Sequence, residues 1–171
     1  MPPVAKLVAW RAPAGALALR NLGLANIEIG ERDHSAEHMD EGARYVVEAM
    51  KSLPPDPVML TKVGLVFLRK GETSDAIEIF EYTVSLDPNR AGSHANLGNA
   101  YKEAGQTDKA VRELERAIQL DPSLETAYRS LGEVFAKAKD ADGVRSVYKR
   151  YLQFMPESIA ARKALIRYGA R

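Results

Sequence analysis

An all-α solenoid built from helix–turn–helix units is the fold class that this 171-residue sequence predicts, and three observations carry the prediction. Pro54, Pro88, Pro122 and Pro156 stand 34 residues apart. A glycine follows ten residues behind each of Pro13, Pro54, Pro88 and Pro122, at Gly23, Gly64, Gly98 and Gly132. Between these marks, apolar residues recur every three or four positions, the period of a helix with one buried face. Self-similarity at a fixed period of roughly 20–50 residues describes units that bury their apolar faces only by stacking on neighbours.

The elements follow in order. Pro13 sits where a unit-ending proline belongs, and Val4, Leu7, Val8 and Trp10 before it read as the tail of an upstream second helix. Residues 1–13 are therefore expected to be such a tail or an N-terminal cap, helical over 4–12, with Trp10 or Leu7 packed on the first helix pair. That pattern also suggests a segment of a longer protein. The first unit, 14–56, is irregular: Gly23 to Pro54 spans 31 residues where the other units have 24. Seven residues, close to two helical turns, are added after Gly30, so a lengthened helix would keep its face inward. The expectation is a longer loop or an elongated second helix over 35–53, preceded by a helix at 14–30.

In the unit 57–90, Leu60, Val63, Phe67 and Leu68 mark a helix at 57–70. Gly71 breaks it, Thr73 is placed to cap the next helix at 74–86, and Ala76, Ile77, Phe80 and Val84 form that helix's buried stripe. Leu86-Asp87-Pro88 closes the unit, because proline cannot continue a helix and restricts its predecessor. The unit 91–124 repeats the pattern through Leu97, Gly98, Tyr101, Gly105, Ala110, Leu114 and Ala117, giving helices at 91–104 and 108–120. The unit 125–158 does so through Tyr128, Leu131, Gly132, Phe135, Val144, Tyr148 and Tyr151, giving helices at 125–138 and 141–154. There Lys139 replaces the interhelical glycine, which predicts a less defined turn. A capping helix at about 158–168 closes the ladder, with 159–171 as the capping segment. The mid-helix glycines each cost about 1 kcal/mol of helix propensity, which close helix packing would justify; Gly98 is expected to face Ala110.

Composition narrows the function. The chain has no cysteine, so disulfides, thiolate metal sites and a cysteine nucleophile are excluded. No run approaches the ~20 apolar residues of a membrane-spanning helix, and Lys6 and Arg11 interrupt the apolar N-terminus, so no signal peptide is read and a cytoplasmic location is the default, a periplasmic one fitting an excised segment. The formal net charge of +1 gives no global attraction for nucleic acid. His34-Ser35-Ala36-Glu37-His38 places two histidines four residues apart in the order of one class of zinc protease, but in a short helical insertion without the domain those enzymes require, so no metal site is assigned. His94 stands where neighbouring units carry Leu60 and Tyr128, a packing position. No nucleophile elbow or phosphate-binding loop is present. The reading is a non-enzyme without a cofactor.

Asn96-Leu97-Gly98-Asn99-Ala100-Tyr101 through Leu120-Asp121-Pro122, with its counterparts at 34-residue spacing, resembles the tetratricopeptide repeat, and the resemblance covers about residues 14–171 as a single domain. It implies four helix pairs in a right-handed superhelix, with the first helices lining a concave groove that binds a segment of another protein. In that family the lining residues stand six, three and two before the glycine and one, four and five after it. Carried over, these positions include Arg20, Leu24, Lys62, Leu65, Arg69, Asn96, Asn99, Lys102, Arg129 and Lys137, along with Ala95, Ser130, Glu28, Glu103 and Glu133; the capping helix adds Lys163 and Arg167. The lining then holds eight basic residues against three acidic ones, an excess of +5 in a chain whose total is +1. Such a groove would favour an acidic peptide. The residues by which some relatives clamp the C-terminal carboxylate of a chaperone tail are missing in either register. Two other readings are a docking or regulatory portion of a larger bacterial enzyme or electron-transfer protein, and nucleic-acid binding, the latter weakened by a lining without stacking aromatics.

Overall fold

The computed structural model describes residues 14–169, and the expectation for residues 4–12 lies outside them. Nine α-helices and no strand occur among the described residues: α1 (Ala14–Asp33), α2 (Ala36–Met50), α3 (Pro57–Lys70), α4 (Thr73–Leu86), α5 (Ala91–Glu103), α6 (Thr107–Leu120), α7 (Glu125–Lys137), α8 (Ala141–Phe154) and α9 (Ile159–Gly169). None of them is long and apolar enough to cross a membrane. The chain divides into two compact units, one up to Val66 and one from Phe67 onward, where the sequence reads as a single domain.

The first unit is organised around the α1–α2 hairpin. Its core is Ile27, Ala43, Val46 and Ala49, all buried. Gly23 and Gly42 let the two backbones meet: a Cβ on Gly23 would lie 2.7 Å from the Gly42 carbonyl oxygen, and one on Gly42 would lie 2.5 Å from that of Gly23. The seven additional residues do not chiefly extend the second helix. α1 runs ten residues past its glycine to Asp33, whereas α5 and α7 run five past theirs. α2 is one residue longer than α4, α6 and α8, and the rest goes into the linker before Pro57. No breaker stands between Gly30 and His34, so helix continues, and Gly30 keeps the added turn close to Met39.

In the second unit α4 to α9 pack in sequence, each on the next, and α5 also touches α7. This is the stacking that makes an all-α solenoid of repeats. Its buried stripe is Phe80, Leu114, Leu131, Val144 and Tyr151, with alanines at 110, 117, 127 and 161 admitting close helix approach. Gly98 faces Leu114, whose Cγ would lie 2.7 Å from an added Cβ, rather than Ala110 one turn earlier. Tyr128 and Tyr151 stack at 4.6 Å between ring centroids. Arg150 lies over the Tyr128 ring and donates to both carboxylate oxygens of Glu115 at 2.9 Å, tying α8 to α6.

Interhelical turns follow one design. Gly71, Gly105 and Lys139 all have positive φ, at 81°, 74° and 59°. In each case the amide of the residue after the positive-φ position bonds back to the carbonyl five residues earlier: Glu72 to Phe67, Gln106 to Tyr101 and Asp140 to Phe135. This satisfies a carbonyl that the helix end leaves open. His34 makes the same turn with φ 56°, closed by the Ser35 amide on Gly30. The turn at Lys139 is therefore as defined as those at the glycines. Thr73 does not cap α4; it is the first helical residue, and Glu72 before it makes no side-chain cap.

Candidate functional site

The groove positions fall in both units. In the first, the Arg20 guanidinium donates to Asn21 Oδ1 at 3.1 Å, Leu24 and Leu65 are half-buried, and Lys62 reaches Glu28 at 3.5 Å. Arg20 also borders a cleft with Leu17, Leu53, the prolines at 54, 55 and 57, and Met59.

In the second unit the positions line up along α5, α7 and α9. Lys102, four residues after Gly98, lies 2.5 Å from Glu133, which follows Gly132 directly, and 3.4 Å from Glu103. That pair sets the two groove faces side by side. It also means the Lys102 charge, on a side chain only 11% exposed, is already matched within the protein. Arg129, Lys137, Lys163 and Arg167 are exposed and make no ion pair among the described residues. Arg69 is exposed as well. Asn96 and Asn99 are half-buried, and the Asn99 carboxamide oxygen is shielded from solvent without a hydrogen-bond partner. Ala95 and Ser130 do not line the surface, because both are buried in the helix packing.

A cleft of about 320 Å³ opens at the end of this row, between α7, α8 and α9. Its walls include Ala136, Val144, Tyr148 and Ala164, with Lys163 and Arg167 beside them. Arg145 fixes the last turn of α9 by donating to the Tyr168 carbonyl at 2.7 Å. The Tyr148 hydroxyl is pushed above the usual phenol range, first by burial and then by Glu133 and Tyr168, so it is a neutral donor at neutral pH. The position of Tyr148 was legible as core, but nothing in its own repeat announces that it borders a cleft.

The remaining polar candidates have structural surroundings. His94 is 7% exposed, with Nδ1 2.7 Å from a Glu113 carboxylate oxygen and Nε2 3.0 Å from the Pro88 carbonyl. It joins α5 to α6 and to the preceding linker. His34 is the turn residue after α1, and His38 lies in the first turn of α2, where its amide donates to Ser35 Oγ at 3.3 Å. Among the described residues no group of three or more histidine or carboxylate side chains converges as a metal ion requires.

Stacked helical hairpins of recurring length define a helical-repeat fold. Sequence models of the TPR repeat and the tetratricopeptide repeat match residues 98–138 and 79–112. No curated protein matches the chain. Among solved structures, the chain is similar to MamA, with 26% identity over 82% of each chain and a TM-score of 0.69. It is also similar to MamA 41-end from Desulfovibrio magneticus RS-1, at 21% identity over 93% of this chain and 88% of that one, TM-score 0.72. The first TPR of Spaghetti (RPAP3), bound to the HSP90 peptide SRMEEVD, matches 66% of this chain and 90% of its own at 20% identity, TM-score 0.59. Residues 79–138 thus match tetratricopeptide repeats, and the fold is an all-α solenoid of such repeats, whose general use is as a non-catalytic scaffold for protein–protein interaction.

Proposed function

We propose that the second unit binds an acidic segment of a partner protein along α5, α7 and α9. The observation that carries this reading is the set of cations left over once the lining has neutralised itself. The acids Glu103 and Glu133 both contact Lys102, while Arg129, Lys137, Lys163 and Arg167 make no ion pair among the described residues. Exposed cations on α7 and α9 would each add a modest, charge-assisted contact to one anionic strand. Asn96, and Asn99 through its amide nitrogen, would read its backbone, and in the first unit Arg20, Leu24, Lys62 and Leu65 offer a smaller set of the same mixed character. A peptide held on tetratricopeptide helices, as in the Spaghetti complex, is consistent with this use of the fold. Affinity capture with the wild type beside an Asn96→Ala/Asn99→Ala/Arg129→Ala variant tests it. A partner retained only by the wild type is expected. Equal retention by a folded variant would place binding elsewhere.

A further inference from the structure

Comparison of the repeats with one another singles out one position. Phe80, Leu114 and Tyr148 stand 34 residues apart. Phe80 and Leu114 are wholly buried, as an apolar side chain at this helix–helix contact has to be. Tyr148 is half-buried, and the far end of its ring rests on α7, where a Cβ at Gly132 would come within 2.8 Å of Cε2 and 2.9 Å of the hydroxyl. Its hydroxyl makes no hydrogen bond among the described residues. The ring forms one wall of the cleft, with Ala136, Val144 and Ala164 as the apolar part and Lys163 and Arg167 at the side. Small side chains at 136 and 164 leave the space open; Glu133 also lines it but is paired with Lys102, and Lys163 and Arg167 make no ion pair among the described residues.

We propose that this cleft seats a leucine-sized apolar side chain from the partner segment, with acidic residues on either side of it reaching Lys163, Arg167 and Arg129. The assignment rests on the groove reading and adds an anchor to it. A wholly acidic strand would leave the apolar walls wet, and a wholly apolar one would leave the cations unanswered. Burying the anchor supplies the short-range preference that exposed charges, screened and flexible, cannot give.

The test uses nine-residue peptides of glutamate and serine, acetylated and amidated so that their ends carry no charge, with a central leucine or alanine. Fluorescence anisotropy on the whole chain should show the leucine peptide binding about tenfold tighter. Ala164→Leu or Ala136→Leu, which fill the cleft from opposite walls, should reduce the leucine peptide to the level of the alanine peptide while leaving the latter unchanged. Melting temperatures identify which filled variant is folded. Equal binding of the two peptides, or a preference that survives both substitutions, overturns the anchor. If both peptides bind with strong salt dependence but without preference, the anchor alone falls; if neither binds, the groove reading falls with it.

Discussion

At position 139 a lysine holds a backbone conformation that the equivalent turns give to glycine. Left-handed φ costs an L-residue roughly 1–2 kcal/mol, and glycine in exchange loses about 0.5–1 kcal/mol of chain entropy on folding. Lys139→Gly should therefore stabilise the chain by about 0.5–1 kcal/mol, read as a higher urea midpoint with an unchanged slope. No gain would mean that the turn is relaxed as it stands. Tyr101 gives a second residue-level expectation. Burial, and then its hydrogen bond to Glu81, push its pKa from 10.0 up to about 12. The folded state thus holds this proton more tightly than the unfolded chain does, so the contribution to stability is complete below pH 10 and is lost as pH climbs towards about 12. Tyr101→Phe should flatten that alkaline loss without abolishing it, since Tyr128 and Tyr151 are raised in the same direction by burial. An unchanged profile in alkaline unfolding would show that Tyr101 does not titrate with the fold.

The helices themselves show where close packing is rigid and where it yields. At Gly23 an added methyl meets backbone, the Gly42 carbonyl oxygen at 2.7 Å and the Val46 amide at 2.9 Å. At Gly98 it meets chiefly the Leu114 side chain, which has rotamers to offer. Gly23→Ala is accordingly expected to cost several kcal/mol and Gly98→Ala about 1–2 kcal/mol, by the ordinary penalty of overpacking. The reverse order in chemical denaturation would contradict this account of the helix contacts. Ala110→Leu, at a fully buried site, should cost about 1–3 kcal/mol. Most of this level was legible in the sequence, because 34-residue recurrence, proline closure and helical periodicity all report on short-range geometry. Other features were not. The extension went into α1 because an uninterrupted run after Gly30 has no local signal to stop it. Thr73 reads as a cap by residue type, but the positive-φ turn at Gly71 starts the helix there instead. The Lys102–Glu133 pair joins residues 31 apart, and no local pattern shows that each neutralises the other.

For the molecule as a whole, the proposed binding of an acidic segment rests on a local charge asymmetry. Total charge is only +1, so attraction for an acidic partner depends on the local excess of cations and falls as salt screens it. The exposed cations of α7 and α9 stand at positions legible from the repeat spacing, whereas the neutralisation of Lys102 on α5 was not legible. Nor was the cleft at the end of this row, because it needs the Tyr148 ring laid on Gly132 and α9 set against α8. A heteronuclear NMR titration with the leucine-centred acidic peptide at low salt tests the central claim most directly. The account predicts shifts clustered at Asn96, Asn99, Arg129, Lys137, Lys163 and Arg167 that fade on addition of salt. Shifts clustered instead on the exposed residues of α4, α6 and α8 would contradict it.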